Sequence, residues 1–276
     1  MKKITKFFYH FKSEVNNYVK KIFFKLNIIL NIYNKNQKKK VDQFLKKIVI
    51  IDSGYKLIRF GTDSDGGYLI PDILDQIEYV FSPGVGKTTS FEDDLEKFKI
   101  KSFLADKTVN FNGSHDFIKK NLNSYNDKEN ITLETWVNDK IKDKSNNKLL
   151  LQMDIEGSEI EVLYQSDSKL LNRFKCIVVE FHHFNKIVDS LGLKIYSDIF
   201  DKILRTHYII HMHPNNNSRE SLLINKNDIC PLYEITFINK NICNHIKKIN
   251  YKLPHLLDMD CNQNHKHRKC PEIFYS

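Results

Sequence analysis

Little in this 276-residue chain suits an oxidising compartment. Its five cysteines, Cys176, Cys230, Cys243, Cys261 and Cys270, are an odd set without paired spacing, which argues against a disulfide framework. A secretory signal is also missing: the early residues include lysines but no unbroken apolar core and no small-residue cleavage site. The most apolar early stretch, 22–32, is interrupted by Lys25, Asn27 and Asn31, so no membrane span is expected. These absences lead us to expect a cytosolic protein. Disorder of the whole chain is excluded by a hydrophobic content of 41% and an aromatic content of 12%, enough for a real core.

A basic surface is absent from most of the chain as well. The net charge is +9, but residues 1–47 hold 13 lysines against Glu14 and Asp42, while the remainder holds 30 basic and 32 acidic residues. The basicity belongs to an N-terminal arm. A near-neutral body argues against a broad nucleic-acid groove, so no nucleic-acid partner is expected there. Within the arm, Ile4, Phe8, Phe11, Val15, Tyr18, Ile22, Leu26, Ile29 and Tyr33 recur at three-and-four spacing, which predicts an amphipathic helix. Such a helix could pack on the body or on a second copy of the chain, lie on the inner face of an anionic membrane, or contact nucleic acid. The polar run 34–40 reads as a hinge. The division is thus a basic helical arm over 1–45 and one domain over 46–276.

What is present is organised around residues 79–106. An apolar run ends in the turn Gly84-Val85-Gly86, a helical segment follows, and a second apolar run over 100–105 ends in Asp106. Strand, glycine turn, helix, strand and acid make a unit in which the backbone can approach a ligand and a carboxylate can accept from a ribose diol. Ahead of it, apolar segments flank Asp65-Gly66-Gly67, which reads as a hairpin turn or as a loop over the ligand. Residues 114–122 lean to strand, and 131–141 read as a helix entered through Thr132. Buried-type strands follow at 149–154, 176–181, 208–213 and 232–238, with helices starting near Ser158 and over 187–203. The alternation predicts an α/β fold with a mostly parallel sheet, which places ligands at the carboxyl ends of its strands. Asp106, Asp154, Glu180, His182, His211 and His213 all fall at such ends.

Three readings of the glycine turn compete. A phosphate loop would need glycine at position 81, where Phe81 stands; a dinucleotide site would need it at 89, where Thr89 stands. An S-adenosylmethionine (SAM) site needs only a short glycine turn and an acid ending the next strand, and both are here. The ordered segments FGTDSDGGYLIPD, VFSPGVG with TSFE, FLADKT, ITLETWV, LLLQMDIEGSEIEVL, IVVEFHHF, IIHMHPNNN and CPLYEITFINK resemble the FkbM-type SAM-dependent methyltransferases, in the bacterial branch with DGGY and DxEGxE segments. The resemblance spans about 57–260. It implies the class I methyltransferase fold, a Rossmann-like sandwich with a seven-stranded, mostly parallel sheet and an antiparallel last strand. It also implies O-methylation of a carbohydrate or nucleotide-sugar acceptor in surface-polysaccharide pathways. Under it, the Gly84-Val85-Gly86 turn and Glu92 approach the SAM tail, Asp106 holds the ribose, and Asp65, Gly66 and Gly67 close over the cofactor. Lys87, where relatives often have a small acid or polar residue, could bring a phosphate-bearing acceptor nearby.

A sugar hydroxyl needs a base. His182 follows a strand end and shares a face with Glu180, which could orient it; His183, His211 and Asp154 compete, and each histidine has the alternative of a structural role. Glu156 and Glu159 read as acids at a helix N-terminus. Asp154, Glu180 and His182 offer ligands for a divalent metal, of a type that defines no particular ion. The spacing from Cys261 to Cys270 is not a standard zinc pattern, and a polar tail is expected there. The rival functions are a P-loop NTPase and a membrane-bound scaffold without catalysis.

Overall fold

The computed structural model describes residues 35–218, 222–224, 227–249, 251 and 253–275. The helix expected over 4–33 lies outside them. The expected hinge is instead helix α1 (Lys35–Leu45). Val41, Phe44 and Leu45 fall on one face of it and join the main core, while Lys38 to Lys40 stay at the surface. The Phe44 ring meets Phe200 edge-on at 5.5 Å, so a domain boundary at residue 45 would cut the core.

Next comes a hairpin of β1 (Leu57–Phe60) and β2 (Tyr68–Pro71), paired antiparallel from Leu57↔Pro71 to Phe60↔Tyr68. Then follow β3 (Tyr79–Pro83), α2 (Ser90–Glu96), β4 (Lys101–Ala105), β5 (Asp116–Ile118), α3 (Leu133–Lys140), β6 (Leu149–Met153), α4 (Glu159–Gln165), β7 (Phe174–Phe181), α5 (Ser190–Thr206), β8 (His207–Pro214) and β9 (Tyr233–Asn239). Seven strands form one sheet in the order β8–β9–β7–β6–β3–β4–β5. β9 runs antiparallel between β7 and β8, and the other pairings are parallel. The expected antiparallel last strand is therefore present.

Both faces of this sheet are covered, which is why its central strands are continuous apolar runs rather than alternating ones. Phe81, Leu151, Phe181 and Phe237 point into the larger core with Trp136 and Phe200. Val80, Leu150 and Val178 point the other way, into a smaller core closed by Phe60, Tyr68 and Ile70 of the hairpin and Phe91 and Leu95 of α2. Thr132 starts α3 as expected, its hydroxyl accepting from the Thr135 backbone N–H at 3.2 Å. The single helix expected over 187–203 is broken: a 3-10 turn, Phe184–Val188, precedes α5, and Asp189 between them is extended. No helix among the described residues is long and apolar enough to cross a membrane.

The C-terminal residues are not a loose polar tail. Phe274 is fully buried, packs against Tyr233 with ring centroids 5.9 Å apart, and its carbonyl accepts from the Ile50 N–H at 2.7 Å. Asn216 and Asn262 bond reciprocally, holding the segment over the ends of β8 and β9.

Candidate active site

Strand register brings the expected residues to one edge. Pro83 pairs with Ala105, and Val179 with Met153, so the residues that follow β3, β4, β6 and β7 come out side by side. They are Gly84, Asp106, Asp154 and His182. Two adjoining cavities open there, of about 390 Å³ and 230 Å³, and both are walled by Gly84, Gly86, Asp154 and Glu156. The larger continues past Asp106 to Asn121 and Asn123. The smaller continues past Val85, Lys87 and Glu92 to Asp65 and Gly66 of the hairpin loop. The segment is a hairpin loop, and its Asp65 and Gly66 line the smaller cavity. Gly67 lines neither cavity; it packs against the Thr62 carbonyl and Arg59.

The glycine turn is fixed by its neighbours. Gly84 adopts a left-handed backbone (φ +85°), and a Cβ there would stand 1.6 Å from the Asp154 carbonyl oxygen. Gly86 is also left-handed (φ +57°) but has open space within 4 Å. Its N–H donates to Asp106 Oδ2 at 3.0 Å, and Thr108 donates to Oδ1 from its backbone and its hydroxyl. An amide already committed to a carboxylate is not the free donor that a phosphate loop presents. Glu92 is buried with its carboxylate against the Ser82 hydroxyl, and burial raises its pKa.

Behind Asp154 lies a group of acids around one histidine. His182 Nδ1 is 3.2 Å from Glu159, and Nε2 is 3.3 Å from Glu156 and 3.9 Å from Glu180. The expected orienting role of Glu180 thus falls to Glu159. Glu159 is fully buried in the first turn of α4, and its Oε1 also accepts from the Ile155 and Gly157 N–H groups. That turn is sharp enough to put Glu156 in the left-handed region (φ +56°), with its side chain in solvent. Asn215 donates to Glu180 at 3.0 Å, and Cys261 donates to Glu234, the residue opposite Glu180 on β9.

Burial pushes the Asp154 carboxyl up to about 7; His182 opposes that shift, and Glu156 and Glu159 reinforce it. Burial also holds Glu180 well above the usual carboxylate range, with Asp154, Glu234 and Asp65 adding to the rise. For His182, burial acts downward, but Glu159, Asp154 and Glu156 outweigh it and raise the pKa. Ligand atoms of Asp154, Glu180 and His182 lie within 4.8 Å of one another; a second set, with both acids exposed, is Asp93, Glu96 and His115.

Two expected residues stand apart. His183 is exposed at the rim, in a left-handed conformation (φ 58°), with Nε2 beside Gly157. His211 is buried and paired to Asp258 of the C-terminal segment at 2.9 Å, and it lines neither cavity. Sequence reasoning missed Thr108, Asn123, Asn215 and Glu234, and it gave Glu159 only a helix-dipole role. The Glu159 signal was present in its place one turn into a helix after Asp-Ile-Glu-Gly, where a carboxylate can fold back onto the loop amides.

A seven-stranded sheet of this order, with an inserted antiparallel strand and a glycine turn and acids at its carboxyl edge, defines a Rossmann-like methyltransferase fold. Residues 82–210 match the family model for the methyltransferase FkbM domain. The match runs from the end of β3 into β8 and so includes the turn, Asp106, Asp154 and His182. A comparison with curated proteins gave no match.

Proposed function

We propose that this protein transfers the methyl group of SAM to a hydroxyl oxygen of a sugar, on a surface polysaccharide or a nucleotide-sugar precursor, in the cytoplasm or at the inner face of the membrane. The observation that carries the reading is the pair of cavities meeting at Gly84, Gly86 and Asp154, with Asp106 in the wall of the larger. The nucleoside fits the Asp106 side. Oδ2 accepts one bond from Gly86 and keeps capacity for a ribose hydroxyl. The amino-acid tail fits the Glu92 side, where Gly86 leaves room for close approach.

The reaction breaks the sulfur–methyl bond, forms an oxygen–methyl bond and releases the hydroxyl proton. Holding the oxygen in line with the methyl carbon supplies much of the rate. The proton goes to a base at the edge formed by Asp154, Glu156 and His182, where a group in hydrogen-bond reach contributes about 10²- to 10⁴-fold. Glu159 stands 3.2 Å from Nδ1, and Nε2 is 3.3 Å from Glu156, which lines both cavities.

Calorimetric titration with S-adenosylhomocysteine tests the cofactor half. Asp106→Ala should weaken binding about 10- to 100-fold, the worth of a hydrogen bond to a charged group, and Asp106→Asn should weaken it less. Unchanged affinity in both variants would defeat the ribose assignment. Methyl-labelled SAM with a panel of nucleotide-sugars and polysaccharides, followed by mass spectrometry, tests the acceptor half.

A further inference from the structure

We infer that Asp154, Glu180 and Nε2 of His182 form a site for one divalent cation of the manganese type, at the acceptor side of the cofactor pocket. The site's relation to the acceptor rests on the methyltransferase reading; its ability to bind a cation does not.

Spacing is the first argument. His182 Nε2 and Glu180 Oε1 are 3.9 Å apart, too far for a hydrogen bond. Two ligands of one ion with metal–ligand bonds of about 2.1 Å stand ~3 to 4.2 Å apart. The Asp154 carboxylate lies within 4.8 Å of both, so a closure of a few tenths of an ångström brings all three into that range. Two carboxylates and an imidazole are a mixed oxygen and nitrogen set that suits a first-row divalent ion.

The supporting residues are the second argument. Ligand histidines are held by a carboxylate on their other nitrogen. Here Glu159, fully buried and anchored on two backbone amides, stands 3.2 Å from Nδ1. Asn215 braces Glu180 from β8's end at 3.0 Å. Asp154 Oδ1 is buried with no hydrogen-bond partner.

Charge is the third. Glu156 reaches 3.3 Å from Nε2, and Glu234 is the cross-strand partner of Glu180. No lysine or arginine among the described residues forms an ion pair with any of these acids. The Asp93, Glu96 and His115 group differs: both its acids are exposed. A cation at the Asp154 site would lower the pKa of a hydroxyl brought against it, leaving exposed Glu156 to carry the proton to water. His182 is then a ligand and not the base.

Mn²⁺ titration of the full chain, followed by loss of the free-ion electron paramagnetic resonance signal, tests this. One site per chain is expected. Asp154→Asn and Glu180→Gln should each weaken it at least about tenfold, and Glu159→Gln about 10- to 100-fold through the imidazole. Asp93→Asn should leave it unchanged, and circular dichroism checks that each variant is folded. No binding below millimolar Mn²⁺, or binding that survives Glu180→Gln and is lost in Asp93→Asn, overturns the site. S-adenosylhomocysteine affinity, measured without Mn²⁺ on the same preparations, separates the two readings. Cofactor binding without a Mn²⁺ site overturns the cation and returns His182 to the role of base. A Mn²⁺ site without cofactor binding supports the cation and removes the SAM pocket.

Discussion

The two glycines of the turn should respond very differently to alanine. Each has a left-handed backbone, which costs a residue with a Cβ about 1–2 kcal/mol. At Gly86 that is the whole cost, because a methyl group would meet nothing within 4 Å. At Gly84 the methyl would meet the Asp154 carbonyl oxygen at 1.6 Å and Ile155 Cγ2 at 3.0 Å. The turn cannot easily retreat, since the Gly84 N–H donates to Ala105 and the Asp154 N–H to Pro83. Overpacking of this kind adds about 1–3 kcal/mol, so Gly84→Ala should be less stable than Gly86→Ala by about 2 kcal/mol. In a chain of this size that is ~6 °C in melting temperature. Thermal melts by circular dichroism read the difference, and calorimetry should show weaker S-adenosylhomocysteine binding by Gly86→Ala in a fold that is intact. Equal melting temperatures for the two variants would refute the account of the turn.

Asp258→Asn tests the buried His211 pair. Burial alone would raise this carboxyl, but His211 and His213 outweigh it and hold it down from 3.8 to about 2. A depressed carboxyl stabilises the fold above its unfolded pKa and loses that contribution as pH falls through the folded one. The wild type should therefore exceed Asp258→Asn by about 2 kcal/mol at neutral pH. The gap should close between pH ~4 and ~2, and denaturation curves with a constant gap over that interval would contradict the pairing. Thr132→Ala should cost about 1 kcal/mol through the lost helix cap, with Thr132→Ser restoring most of it; a neutral alanine variant in urea melts would remove the cap.

Parallel strands covered on both faces announce themselves as mostly apolar runs that give way to polar residues; β6 is broken only by Gln152, and β7 only by Lys175 and Glu180. That is why Asp106 and Asp154 were legible in the sequence, and why the site's edge could be drawn from 79–106 and 149–154. His182 was legible for the same reason. Its partner was not: strand alternation points to Glu180, whereas Glu159 reaches it from the next helix by folding back over the Glu156–Gly157 turn. Asn215, Glu234 and Asp258 act across strands or from the C-terminal segment, and no local pattern encodes such contacts. His211 looked equivalent to His182 because both stand near strand ends; what separates them is the segment around Asp258, far along the chain. The hinge reading of 34–40 failed because a run of lysines conceals how soon the apolar positions of α1 begin.

The bond between the Ile50 N–H and the Phe274 carbonyl ties together residues that are synthesised at opposite ends of the domain. Asp52 likewise pairs with Lys247 in a short antiparallel bridge. Contacts so distant along the chain are the slow ones to form. The first segment of the domain can pack once β8 is made, since Phe44 meets Phe200 and Ile50 bridges Ile209, but its bond to Phe274 waits for the C-terminal segment. The ends of β8 and β9 are therefore covered only when the segment carrying Asn262 and Phe274 docks.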